Sequence, residues 1–152
     1  MSDTGDRKSS CGSSLTCHAL RLRPGQNITD EIVRCVKENE LKAAFILTCC
    51  GSVTKATIRM ANASSTNTNE IKTLDGRHEI TSLVGTVCNS GDFHLHVTLG
   101  DVAGNAIAGH VMGDMEVFTT AEIVLGECNG LSFTREFDKE TAFDELVIGK
   151  RN

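Results

Sequence analysis

Apolar and polar positions begin to alternate in a strand-like way at Leu15 and continue so to Leu22. The stretch RPGQN, with the chain's only proline and a glycine, then breaks the pattern and predicts a turn. In ITDEIVRCVKENE the residues Ile28, Ile32, Val33 and Val36 recur at helical spacing while charges take the opposite face, and Asn27 is placed to cap them. This predicts one main helix over about residues 28–39. The run AAFILTCCGSV follows, short, continuously apolar and closed by Gly51, as expected of a strand buried on both sides, with TKATIRMANA as its partner. A polar loop, SSTNTNE, separates these from a series of strand-like pieces between turn residues: GRHEITSLVGTVC, FHLHVTLGD, NAIAGHVM, EVFTTAEIVLGE and LSFTREF. The last segment, ETAFDELVIGK, reads as a short turn and a final strand at Leu146 to Ile148.

One early helix and a strand-rich remainder predict an α+β fold, a single domain on a mostly antiparallel sheet. The first fourteen residues, MSDTGDRKSSCGSS, hold almost nothing apolar that could offset the entropy of ordering them, so residues 1–14 are expected to form a flexible tail. The domain is then expected over 15–149, with 150–152 as a second tail. No internal repeat is visible.

A chain of 152 residues is long enough to bury the core of one domain. With 15 basic against 20 acidic residues it lacks the bulk positive field that nonspecific phosphate binding needs, so direct DNA binding is not the expected activity. No apolar signal core opens the sequence and no segment approaches the ~18 apolar residues of a membrane span. The expected location is intracellular, cytoplasmic or nuclear, and not secreted. The seven cysteines are an odd set without C-x-x-C spacing, which favours reduced thiols over a disulfide framework or a cysteine zinc ribbon. Adjacent Cys49 and Cys50 should point to opposite faces of a strand. Two glycosylation-like triplets, at Asn27 and Asn62, are discounted for want of a secretory signal.

The candidate chemistry lies in FHLHVTLGDVAGNAIAGHV, which holds three of the five histidines. Asp101-Val102-Ala103-Gly104 has the preferences of a type I turn followed by a left-handed glycine, hence a three-residue hairpin loop. That loop sets Asp101 opposite Asn105 and His96 opposite His110. Opposed residues share a face, and residues two apart on a strand do too, so His94 joins them. Phe93, Leu95, Val97, Leu99, Ile107 and Val111 collect on the other face, while Thr98, Ala106 and Ala108 give the histidine face small neighbours. Three neutral imidazoles suit zinc or a similar divalent metal and leave a fourth position open. From spacing alone, a solvated strand face that happens to bear histidines fits equally well. His18 and His78 lack comparable spacing and are left out.

The stretch HLHVTLGDVAGNAIAGHVM followed by TTAEIVLGE closely resembles the signature of the plant- and prokaryote-conserved (PPC) domain family. RLRPGQNITDEI resembles that family's opening strand, Pro-Gly turn and helix, and GRHEITSLVGTV its Gly-Arg-Phe-Glu-Ile segment, with His78 where phenylalanine is usual. The resemblance runs from about Cys17 to Gly149. It implies a compact α+β domain that assembles as a homotrimer, with a metal, usually zinc, held by the residues that correspond here to His94, His96 and His110. Arg77 and Glu122 are the weaker candidates it offers for the same pocket, an ion pair or ladder-edge contact being the alternative for each. The stretch RLRP lacks the glycine of a minor-groove hook, so the chain resembles the free-standing form of the domain.

Three functions follow as expectations. The first is a small trimeric binding or regulatory module whose histidines hold a divalent metal, with a small anionic ligand or a protein as further partner. The second is a zinc-dependent hydrolase-type enzyme using metal-activated water, with Glu122 as its catalytic base; no G-x-S-x-G or H-E-x-x-H stretch supports it. The third is a DNA-associated regulator acting through a partner.

Overall fold

The computed structural model describes residues 11–62 and 70–151. The elements are β1 (Leu15–Leu22), α1 (Ile28–Glu38), β2 (Ala43–Arg59), β3 (Ile71–Cys88), β4 (Phe93–Gly100), β5 (Ala106–Cys128), β6 (Leu131–Asp138) and β7 (Phe143–Lys150). The result is a mostly antiparallel β domain with, among the described residues, a single short helix.

The helix forms where the pattern places it. The Asn27 side chain accepts the N–H groups of Thr29 and Asp30, Asp30 and Glu31 occupy the positive first turn, and Lys37 the negative last turn. Ile28, Ile32 and Val36 form its fully buried stripe. They close one side of a core shared with Leu95, Leu99, Met115, Ile123 and Leu125 from the strands.

The main sheet has the order β1-β5-β2-β3-β4, and β5 also pairs with β4. Because β5 pairs with both β2 and β4, the strands β2, β3, β4 and β5 close into a ring around the core. Strands β6 and β7 form a separate hairpin. Glu127, nearly fully buried, anchors it: its carboxylate accepts the N–H groups of Lys42 (3.0 Å) and Ala43 (3.1 Å) and pairs with Arg151.

Several expectations are corrected. TKATIRMANA is not the partner of AAFILTCCGSV; its first six residues, through Arg59, continue the same long strand β2. Likewise AIAGHVM and EVFTTAEIVLGE are two parts of β5. The glycines that read as terminators are bends within strands. Gly51 has φ +151°, and a Cβ there would lie 2.1 Å from the Thr120 carbonyl oxygen. Irregularities in the β2–β5 register near this point let the long strands coil around the core. β2 is not buried on both sides throughout, since Leu47 and Cys50 are exposed, although Cys49 and Cys50 do face opposite ways.

The ends differ as well. Residues 1–10 of the expected tail, and 64–69 of the expected polar loop, lie outside the described residues. Ser13 and Ser14, by contrast, are bonded to the β5–β6 turn through Gly130 N–H (2.8 Å) and Asn129 N–H (3.0 Å). The final strand is longer than expected and includes Lys150, opposite Leu131. All seven cysteines are free. Among the described residues no helix is long and apolar enough to cross a membrane.

Candidate metal centre

The β4–β5 turn forms as its residues dictate. Asp101 Oδ1 accepts the N–H groups of Ala103 and Asn105, both at 2.9 Å, and Oδ2 accepts the Asn105 amide at 3.1 Å. These bonds, the Asn105 side-chain bond foremost, hold the Asp101 carboxyl below the usual carboxylate range. Gly104 closes the turn at φ +84°, where a side chain would be strained. The ladder that follows sets His96 opposite His110, Val97 opposite Gly109 and Leu99 opposite Ile107.

On its other side His110 stands opposite Arg59 of β2. Opposed residues share a face, so Arg59, His110 and His96 form one row across β2, β5 and β4. His94 belongs to the next row, opposite Thr86 of β3. Gly85 makes this close approach possible: a Cβ there would sit 1.9 Å from the His94 carbonyl oxygen.

The three rings converge. Centroids lie 5.0 Å apart for His94 with His96 and with His110, and 5.5 Å apart for His96 with His110. His94 Nε2 is 3.0 Å from His96 Nε2, and one potential ligand atom from each ring lies within 4.8 Å of the others. Tetrahedral zinc with bonds of about 2.0–2.1 Å would set its nitrogens ~3.3 Å apart, so small ring movements suffice for all three to meet one ion. Among the described residues the buried Nδ1 of His110 has no hydrogen-bond partner. Burial, then the charges of Arg59 and the neighbouring imidazoles, lowers the His110 pKa to about 4, and burial followed by His96 lowers that of His94. Both therefore favour the neutral form, whose lone pair is the one a metal needs. The donor set fits a divalent metal with an affinity for imidazole.

Beside this cluster a cleft of about 530 Å³ is lined by Arg59, Phe93, His94, His110, Arg135 and Phe143, among others. Arg135 reaches from β6 to the Thr86 hydroxyl (Nη2 to Oγ1, 2.9 Å). The Arg59 guanidinium lies 5.8 Å from the centre of the Phe143 ring. Neither arginine was legible as part of the site. Each comes from a strand whose register against the histidine hairpin is not set by a short turn.

Arg77 and Glu122, expected as possible lining of the same pocket, do not line this cleft. The Arg77 guanidinium stacks 4.4 Å from the centre of the Phe118 ring. Glu122 stands on the ladder between Arg21 of β1 and Cys50 of β2, at the other end of β5 from His110. A base at Glu122 therefore does not reach the histidines within one chain. His78 bonds through Nδ1 to the Gly76 carbonyl (3.0 Å), and like His18 it stays outside the cluster.

Comparison with known proteins bears on this arrangement. Residues 9–129 match the sequence profile of the Plants and Prokaryotes Conserved (PCC) domain. The chain is 37% identical over 135 residues to the Bifunctional protein GlmU of Synechococcus sp. (strain JA-2-3B'a(2-13)), covering 89% of this chain and 20% of that protein. It thus spans only about a fifth of that relative's length. A hypothetical protein from Salmonella cholerae-suis is similar in structure, with TM-score 0.86, 35% identity, and coverage of 93% of this chain and 99% of that one. A metal-containing protein from Archaeoglobus fulgidus aligns with TM-score 0.77 and 26% identity, over 90% of this chain and 96% of that one.

Proposed function

The chain belongs to the Plants and Prokaryotes Conserved (PCC) domain family, and from that premise we propose that it is a small metal-binding module, working as a homotrimer, whose resident ion is zinc. The observation that carries this reading is the convergence of His94, His96 and His110 on one face, with the buried Nδ1 of His110 lacking a partner. The naming of the similar Archaeoglobus fulgidus protein as metal-containing supports it. Zinc is chosen because an all-imidazole set of three with an open fourth position suits it. When bound, it would supply a Lewis-acidic position for an oxygen-bearing ligand.

The protein's own residues prepare that position. The Asp101 turn and Gly85 fix the two histidine rows against each other. Burial keeps His110 and His94 neutral, and Arg59 and Arg135 add positive charge at the edge. Trimer formation is supported by the family resemblance and by exposed apolar Val84, opposite His96 on the ladder, and Met112. Within one chain Glu122 lies away from the histidines, and the role we propose is one of binding or regulation. A small anion or a protein is the proposed partner, rather than DNA.

Elemental analysis of protein purified without a histidine tag tests the metal directly. About one zinc per chain in the native protein, and none in a His94→Ala, His96→Ala, His110→Ala variant of unchanged fold, is expected. Equal metal in both would refute the site. Light scattering coupled to gel filtration tests the assembly, and a monomer at micromolar concentration would refute the trimer.

A further inference from the structure

The β6–β7 hairpin lies beyond residues 9–129, the part that matches the family profile. It nevertheless forms one wall of the cleft beside the histidines, contributing Arg135, Phe143, Asp144 and Glu145. Arg135 is held in place by Thr86 (2.9 Å) and by a long contact to the Asp144 carbonyl (3.5 Å). Its Nε is buried and has no hydrogen-bond partner among the described residues, an uncommon state for a group that desolvation penalises. Arg59, next to His110 on the ladder, lines the same cleft, its guanidinium over the Phe143 ring. Among the described residues neither arginine forms an ion pair, although Asp92, Asp144 and Glu145 also line the cleft.

We propose that this cleft binds a small molecule with one carboxylate and an apolar body, the carboxylate held by Arg135 and Arg59 and the body packed against Phe93 and Phe143. Guanidinium groups offer planar, paired donors that match a carboxylate. The three acidic residues lining the cleft disfavour a dianion such as phosphate more than a singly charged carboxylate. The two phenylalanines supply the apolar walls that small-molecule sites commonly have. The ligand would adjoin the metal position proposed above, and the proposal rests on that reading only for the added affinity a bound zinc would supply. Its contacts with the arginines do not need the metal.

Benzoate, which carries a carboxylate on an aromatic body, and benzamide, its uncharged counterpart, are suitable probes. Titration calorimetry on zinc-loaded and on chelator-treated protein should show benzoate binding at least tenfold more tightly than benzamide in both states, and more tightly still with zinc. Inorganic phosphate should bind more weakly than benzoate. Arg135→Gln should remove most of the preference for benzoate, Arg59→Gln should reduce it, and Arg135→Lys should restore it in part. A thermal melt of each variant separates lost binding from lost fold. Equal binding of benzoate and benzamide, tighter binding of phosphate, or an Arg135→Gln variant that keeps its fold and the native preference would overturn the proposal. A preference that depends on Arg135 but is indifferent to zinc would uphold the carboxylate site while telling against the added affinity from zinc.

Discussion

His96 of β4 and His110 of β5 stand directly opposite each other on the ladder that leaves the Asp101 turn. A slip of one residue in that turn would send His110 to the apolar face, because side chains alternate strictly along a strand. The candidate centre is therefore a consequence of the four turn residues Asp101 to Gly104 as much as of three histidines.

Asp101→Ala should loosen the turn, since one carboxylate accepts two backbone N–H groups and the Asn105 amide. The midpoint of thermal unfolding is expected to fall by roughly 2–4 °C, and zinc affinity with it. An unchanged melt together with unchanged affinity would show that the turn does not set the register. Gly104→Val should cost more, because Gly104 holds φ +84°.

Glu127→Ala should be far more damaging than an ordinary surface change. It leaves the N–H groups of Lys42 and Ala43 without their acceptor and Arg151 without its partner. Loss of such a buried charged acceptor costs on the order of 3–5 kcal/mol, measurable by urea unfolding. Arg151→Ala, which leaves both N–H bonds in place, should cost less. Similar losses for the two variants would contradict this division.

Ile32 is fully buried in the helix stripe. Ile32→Ala should cost about 2–5 kcal/mol through lost burial and the cavity left behind. Val33→Ala, at a less buried position of the same helix, should cost clearly less by the same urea assay.

The metal-free protein should lose stability as the pH falls. The His110 pKa is lowered in the folded chain to about 4 from an ordinary 6.5, so between these values the unfolded chain binds the proton and the folded chain does not. Stability from this source is complete above about pH 6.5 and is lost as the pH drops toward 4. His110 is only half-buried, so solvent screening reduces the effect to roughly 1–2 kcal/mol. Urea unfolding at pH 7.5 and 4.5 measures it. The difference between the two pH values should shrink in His110→Asn, and an unchanged difference would assign it to other groups.

The helix was legible because its cap, its stripe of Ile28, Ile32 and Val36 and its end charges all agree, a consistency that local sequence can carry. The histidine pairing was legible because a short loop of defined turn chemistry fixes the register of the strands it joins. The continuity of β2 and β5 was not. Gly51 reads as a terminator from sequence, whereas in the fold it lets Thr120 approach within a strand. Arg59 and Arg135 were illegible for a related reason: their strands meet the histidine face through tertiary packing, which no local pattern encodes. Arg77 and Glu122 were offered by the resemblance alone, and within one chain Arg77 stacks on Phe118 while Glu122 stands between Arg21 and Cys50.

X-ray absorption at the zinc edge of untagged protein tests the central claim most directly. Three imidazole nitrogens at about 2.0–2.1 Å, losing one imidazole in His110→Ala, is the result expected of the His94, His96 and His110 site. A shell of oxygen or sulfur ligands without imidazole scattering, or one that His110→Ala leaves unchanged, would contradict it.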